Sequence, residues 1–172
     1  MEKLFHISEE PGIKIFHPRP SPQFYDSIKG DVVFAISDKM LHNYLLPREC
    51  PRVTYYINQN TTNTDKEKFF GESKADYIIN VEEHWKEKIE NTVLFKYEFT
   101  PETFSLLDET AGYYVSYQEI VPVFIEEVKD VYNEYSKRNV KIRFLTNLQK
   151  LADDVKNSSL SFSIIRHGNA KL

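Results

Sequence analysis

The chain has 172 residues and a formal net charge of −4, and 41% of its residues are hydrophobic and 28% charged. This length suits one domain with a sizeable core, and the composition excludes collagen-like, disordered and disulfide-scaffold proteins. The mild acidity disfavours general nucleic-acid binding, because neutralising phosphates needs a basic surface, and it leaves only a local basic pocket for that purpose.

The sequence predicts a cytoplasmic protein without a membrane anchor. It contains no run of about 18 apolar residues of the kind that spans a membrane, and its first residues, MEKLFHISEEPG, lack the apolar stretch of a secretory signal. The single cysteine, Cys50, has no internal disulfide partner, which fits a reducing compartment. The histidines show no zinc-binding spacing, so no metal site is expected.

In chain order, the first half of the sequence predicts four strands separated by loops and short helices. The strands are expected at residues 3–8, 31–36, 52–57 and 76–81, where β-branched and aromatic residues concentrate. Ser37 is expected to cap a short helix that Pro47 ends, and another short helix is expected at 65–70. Residues 17–30 contain three prolines and are predicted to form a loop.

The second half predicts further strands, again without a regular alternation of strand and helix. Helices are expected at 82–90, after residue 128 and after a capping box formed by Thr146 and Gln149. Strands are expected at 92–99 and 140–145, and residues 113–116 and 120–128 are expected to form two strands or one strand bent near Gln118. The apolar tail at 160–166 is expected to pack on the body. The irregular order predicts an α+β fold with split, mostly antiparallel sheets and short peripheral helices, in a single domain over residues 1–172.

Four polar side chains near the first two strands are candidate ligand-binding residues. Alternation along the first strand places His6 and Ser8 on one face, where both could present hydrogen-bonding groups to a ligand. The alternative for His6 is a partly buried ring bonded to a backbone carbonyl. Ser37 either contacts the ligand or only caps its helix, and Tyr44 either stacks on a ligand ring or packs in the core.

The segment at residues 46–52, LPRECPR, has the most unusual local composition. Arg48 and Arg52 flank Cys50 on a path stiffened by two prolines, and paired guanidinium groups can grip a phosphate or a carboxylate. In the alternative interpretation Glu49 simply pairs with one of the arginines. A third and weaker hypothesis makes Cys50 a nucleophile or sensor, because nearby cations can lower the pKa of a thiol.

Glu119 is the candidate catalytic carboxylate. It lies in the predicted hinge between two strands, where its side chain could point into a cleft. The alternative is an ordinary solvated carboxylate on the surface.

Longer stretches of the sequence carry two resemblances to known proteins. The stretches LFHISEEPGI, VVFAISDKMLHNYLLPRECPRV and FSIIRHGNA resemble a small bacterial family of unknown function over nearly the whole chain. The opening strand LFHIS, followed by VVFAIS and a short helix, also resembles the ADP-ribosyltransferase-like fold. The second resemblance implies that His6 holds a ribose hydroxyl of NAD and that Ser37 or Tyr44 supports the nicotinamide end.

The same resemblance implies a glutamate at the start of a late strand, here GYYVS, but Gly112 and Tyr113 occupy that position. Without this carboxylate, the group that would stabilise positive charge on the ribose is missing. The sequence therefore favours a nucleotide pocket of the NAD or ADP-ribose type beside the first strand, with NAD as the candidate cofactor and no catalysis. The alternative is an NAD-consuming ADP-ribosyl or 2′-phosphate transferase that uses Glu119.

Overall fold

The computed structural model describes residues 2–172, and the chain forms two compact units. Unit 1 comprises the chain up to residue 45 together with residues 93–129, and unit 2 comprises residues 46–92 and 130–172. The chain therefore passes between the units three times, and each unit is assembled from two separate stretches of sequence.

Unit 1 is built on a six-stranded antiparallel sheet. Its strands are β1 (Leu4–Ser8), β2 (Val33–Ser37), β5 (Leu94–Phe99), β6 (Ser105–Asp108), β7 (Tyr113–Ser116) and β8 (Phe124–Val128). Their order across the sheet is β6-β7-β2-β1-β5-β8, and a 3-10 helix at Asp38–Tyr44 follows β2 directly. The first two strands of the sequence are thus neighbours, in the centre of the sheet.

One face of this sheet carries the core of unit 1. Five of its buried side chains come from alternate positions of the central strands, as the two-residue period of a strand requires: Leu4, Val33, Ala35, Tyr97 and Phe99. The sixth, Ile120, comes from the chain between β7 and β8. A backbone bridge between Phe16 and Ile120 holds two loops together over these residues, and the Phe16 ring packs against the cluster.

Unit 2 contains a four-stranded sheet with helices. Its strands are β3 (Arg52–Tyr56), β4 (Tyr77–Glu82), β9 (Val140–Leu145) and β10 (Ser161–Ile165), in the order β10-β3-β4-β9. The pair β4–β9 is parallel and the other two pairs are antiparallel. The helices are α1 (Asn63–Phe70), α2 (Lys86–Asn91), α3 (Val131–Lys137) and α4 (Gln149–Lys156), with 3-10 turns at Glu83–Trp85 and His167–Asn169.

The core of unit 2 forms where helices cover one face of its sheet. Leu148, Ala152 and Val155 recur at helical spacing and are fully buried against strand residues such as Val53 and Ile78. Arg143 of β9 donates hydrogen bonds to the Tyr55 hydroxyl at 3.0 Å and to the Phe69 carbonyl at 2.8 Å, which ties α1 to this face.

The predicted fold class is confirmed: the protein is α+β, with two mostly antiparallel sheets and short helices. The prediction of a single domain over 1–172 stays a prediction. In residues 2–172 every helix is too short and too polar to cross a membrane.

Several local predictions are corrected. Strand β6 was not expected, since four residues with two exposed side chains give no usable alternation. The capping box of Thr146 and Gln149 does not form, because α4 begins only at Gln149, with Leu148 at the N-cap position. Glu82, assigned to a helix from the sequence, is the last residue of β4.

Candidate functional site

Three of the candidate ligand-binding residues share one face of the sheet in unit 1. Leu4 pairs with Ser37 across β1 and β2, and His6 pairs with Tyr97 across β1 and β5. Directly paired residues share a face, and so do residues two apart on one strand. The register therefore places His6, Ser8 and Ser37 together on the face that carries the core of unit 1.

The His6 ring is half-buried between aromatic side chains. Its centroid lies 4.9 Å from that of Phe16 and 6.5 Å from that of Phe99. The ring is therefore packed on the side of Phe16 without being sealed from solvent.

The turn after β1 is held by hydrogen bonds to side chains. The Ser8 hydroxyl accepts from the backbone N–H of Glu10 at 3.0 Å. The Tyr97 hydroxyl donates to the Glu10 carbonyl at 2.7 Å and accepts from the N–H of Ile13 at 3.1 Å. Ser8 thus contributes to the turn, and this turn fixes the chain that leads to Phe16.

Ser37 is buried against Gly112. Its backbone N–H donates to the Gly112 carbonyl at 2.8 Å. Its side chain makes no helix-capping bond, although the residue occupies the N-cap position. Gly112 has φ of +69°, and a Cβ there would lie 2.5 Å from Ser37 Oγ and 2.8 Å from Met40 Cγ. Packing therefore requires glycine at Gly112, one of the two positions at which the resemblance implies a glutamate.

Tyr44 lies on the other side of the sheet. Its hydroxyl forms a hydrogen bond with the hydroxyl of Tyr113, and the two ring centroids are 6.2 Å apart. Tyr113 pairs with Ile36, the neighbour of Ser37 on β2, so it projects from the face opposite to Ser37. The structure does not bring Tyr44 together with His6 and Ser37.

Glu119 lies at the bridge that holds Phe16 over the sheet. One of its carboxylate oxygens is 2.7 Å from His17 Nδ1, and both side chains are more than half exposed. Phe16 contacts His6 and His17 contacts Glu119, so the two candidate residues are linked only through this segment, and the Glu119 carboxylate is paired at the surface.

The two arginines of the segment at 46–52 belong to unit 2 and have different environments. Arg52 is 2% exposed, and its guanidinium group donates to the carbonyl of Cys50 at 2.6 and 2.9 Å and to that of Pro47 at 3.2 Å. Arg48 is exposed. The arginines therefore do not act as a pair, and Arg52 closes its own loop. The carboxylate of Glu49 reaches outside the segment, to Arg166 at 4.0 Å.

Cys50 has neither the exposure nor the lowered thiol pKa that a nucleophilic cysteine needs. Its side chain is fully buried. Burial raises the pKa of the Cys50 thiol to about 12, and the opposing effect of Arg52 is smaller. The expectation that neighbouring cations lower this pKa is wrong, because desolvation of the thiolate outweighs their attraction.

Glu82, a fully buried carboxylate at the end of β4, was not among the residues expected from the sequence. One of its oxygens accepts from the backbone N–H of Lys171 at 2.9 Å. The other has no hydrogen-bond partner, and His84 Nδ1 is 3.8 Å away. Its only sequence signal is its position after the apolar run of β4. Over residues 2–172, no group of three His, Cys, Asp or Glu side chains is placed to hold a metal ion.

The chain belongs to a family of unknown function, DUF6886, whose model matches residues 5–170. This confirms the resemblance to a family of unknown function over nearly the whole chain. Comparison with curated proteins and with solved structures found no match. The family carries no activity to transfer, so a function has to be argued from the residues.

Proposed function

We propose that unit 1 binds a nucleotide of the NAD or ADP-ribose type beside His6, without turning it over. The observation that carries this proposal is the pairing of β1 with β2, which aligns Leu4 with Ser37 and leaves His6 and Ser37 on one face. Diagonal neighbours on adjacent strands lie roughly 7–8 Å apart, a span that one ribose and its phosphate can bridge.

The resemblance to the ADP-ribosyltransferase-like fold supports the proposal. The two matching stretches, LFHIS and VFAIS, form adjacent central strands, and a short helix follows the second. In this likeness His6 would hold a ribose hydroxyl, and a half-buried imidazole can both donate and accept hydrogen bonds. Fold alone does not supply function, so the proposal depends on these side chains.

The other candidate residues have unequal weight in the proposal. Ser8 is half-buried on the face of His6, whereas Ser37 lies on the same face but is buried against Gly112. Arg48 and Arg52 are left out because both belong to unit 2, and the guanidinium donors of Arg52 are used by backbone carbonyls. Tyr44 is left out because it lies on the opposite face.

Binding without catalysis is favoured by the absence of a suitable carboxylate. Gly112 cannot be replaced by a glutamate without displacing the end of β2. Glu119 is the remaining candidate, and it is held by His17. A transferase needs negative charge close to the ribose as its bond to nicotinamide breaks, which an exposed and paired carboxylate supplies poorly.

The test is a titration of the purified chain with ADP-ribose and with NAD, followed by calorimetry and by the melting temperature. We expect saturable binding and a melting temperature that rises with ligand concentration. In His6→Phe the ring contacts with Phe16 and Phe99 are kept while the hydrogen-bonding atoms are lost, so affinity should fall at least about tenfold.

The matched control is His84→Ala, which removes a partly exposed histidine of unit 2 and should leave affinity unchanged. No binding of either ligand, or equal affinity in His6→Phe, would overturn the proposal. Release of nicotinamide from NAD, lost in Glu119→Gln, would instead establish the transferase alternative.

A further inference from the structure

A row of four aromatic rings lies on the opposite face of the sheet in unit 1. Successive ring centroids are 6.4 Å apart for Tyr25 and Phe34, 6.2 Å for Phe34 and Tyr113, and 6.2 Å for Tyr113 and Tyr44. The last two pairs meet at 81° and 62°, so neighbouring rings form corners instead of a flat stack. All four side chains are half-buried, and each keeps part of its surface open to solvent.

Asp108 adds a negative charge to this row. The strand register pairs it with Tyr113, directly after a shift in the register between Leu106 and Asp108. Burial, the Tyr113 phenol and the Asp108 carboxylate, in that order, raise the pKa of Tyr25. Asp108 is therefore the strand partner of Tyr113, and its negative charge also acts on the Tyr25 phenol.

Asp108 is half-buried without a basic partner. One of its carboxylate oxygens accepts a hydrogen bond from the backbone N–H of Ala111, at 3.0 Å. None of the ion pairs formed within residues 2–172 includes it. By contrast, Glu98 and Glu126 on the same sheet are each paired with a lysine, at 3.0 and 2.6 Å.

This combination selects one class of ligand. Aromatic faces attract cations within about 6 Å of the ring centroid, and the attraction grows when the cation sheds its water easily. Metal ions and primary ammonium groups hold their hydration strongly, whereas alkylated ammonium groups carry an apolar shell that packs on rings. The Asp108 carboxylate, which has no basic partner, adds electrostatic attraction for such a cation.

We propose that Tyr25, Phe34, Tyr113, Tyr44 and Asp108 form a binding site for an organic cation with an alkylated or quaternary ammonium group. This site is independent of the nucleotide proposal, because it uses the other face of the sheet and does not involve His6. It also gives Tyr44 a role that its position denies it at the nucleotide site.

The experiment compares two probes of the same shape in calorimetric or NMR titrations. Choline carries a quaternary ammonium group, and 3,3-dimethyl-1-butanol replaces its nitrogen with carbon and has no charge. We expect choline to saturate with a dissociation constant on the order of 1 mM, and the neutral probe to bind at least about tenfold more weakly.

Variants locate the binding. Asp108→Asn keeps an oxygen that can accept from Ala111 and removes the charge, so it should weaken choline binding about five- to tenfold. Phe34→Leu should weaken it similarly by removing one ring, with the melting temperature recorded to confirm folding. Asp153→Asn, an exposed carboxylate of unit 2, is the matched control and should have no effect.

Equal affinity for the two probes would overturn the proposal, since it would show binding by shape alone. So would the absence of choline binding at about 50-fold the expected dissociation constant, or full choline affinity in Asp108→Asn. Loss of nucleotide binding in His6→Phe with choline binding retained would show that the two sites are separate.

Discussion

At the scale of single residues, burial decides which chemistry a side chain can supply. Arg48 and Arg52 are four positions apart, yet one is exposed and the other gives its donors to the carbonyls of Cys50 and Pro47. A buried guanidinium group needs such acceptors, because an unpaired buried charge is costly. The same burial makes Cys50 an inert thiol.

The raised pKa of Cys50 gives a pH dependence of stability with a definite sign. Its folded pKa of about 12 lies above the ordinary value of 9.0, so the folded chain holds the proton more tightly than the unfolded chain. The resulting stabilisation is complete below about pH 9 and is lost as pH rises towards 12, at about 1.4 kcal/mol per pH unit.

The measurement is urea unfolding of the native chain and of Cys50→Ala at pH 8 and pH 10. The variant is less stable at pH 8 because it leaves a cavity, but it lacks the titrating thiol. The difference in unfolding free energy between the native chain and Cys50→Ala should therefore shrink by about 1.4 kcal/mol from pH 8 to pH 10. The titration of tyrosines affects both proteins equally and cancels in this difference. A gap that stays constant would contradict the prediction.

At the scale of elements, the end of β2 depends on a close approach by the turn before β7. Ser37 receives the Gly112 carbonyl as its hydrogen-bond acceptor, and Gly112 has the positive φ that lets the chain come this near. No side chain fits between the two segments, because Met40 and the Ser37 hydroxyl already fill the space.

Gly71 and Gly112 both have a positive φ but different surroundings, so comparing them separates backbone strain from steric collision. Gly71 has φ of +56° and ψ of −124°, and nothing lies within 4 Å of a new Cβ, so Gly71→Ala should lose only the backbone strain of about 1–3 kcal/mol. Gly112→Ala adds contacts of 2.5 and 2.8 Å and should lose about 2 kcal/mol more. Chemical denaturation of both variants measures this, and equal losses would show that the neighbours of Gly112 yield easily.

At the scale of the whole molecule, each unit is assembled from two stretches that are distant in sequence. The chain leaves unit 1 after residue 45, returns at 93 and leaves again after 129. Neither unit can therefore be completed by one continuous segment. The two stretches of each unit are joined by a stretch that belongs to the other unit, so the two units depend on each other for folding.

This connectivity predicts that the two units unfold together, as the single-domain expectation requires. Trp85, the only tryptophan, lies in unit 2, whereas far-ultraviolet circular dichroism reports on both sheets. The urea midpoints from the two probes should agree within about 0.3 M. Hydrogen exchange supplies the control, with equal maximal protection expected in β1 and β4. Two separated midpoints would show two independent domains.

The elements that could be predicted are those whose pattern is strong within a few residues. Strands at 113–116 and 140–145 are found at the expected bounds, since their β-branched and aromatic residues are decisive locally. β6 was missed because it consists of four residues held only by β7. Ser37 and Gly112 are 75 positions apart, and no local pattern reveals that they touch.

By itself, the sequence determined the α+β class, most of the strands and the choice of His6, Ser8 and Ser37 as polar positions on strands, because these follow from residue type and short-range periodicity. Only the tertiary structure decided that these three share a face, that Tyr44 joins Tyr113 on the other, and that Arg52 and Cys50 are buried. Strand pairing and burial are interactions between segments far apart in the chain. They set the pKa, the exposure and the neighbours of each side chain, and so they determine which groups can meet a ligand.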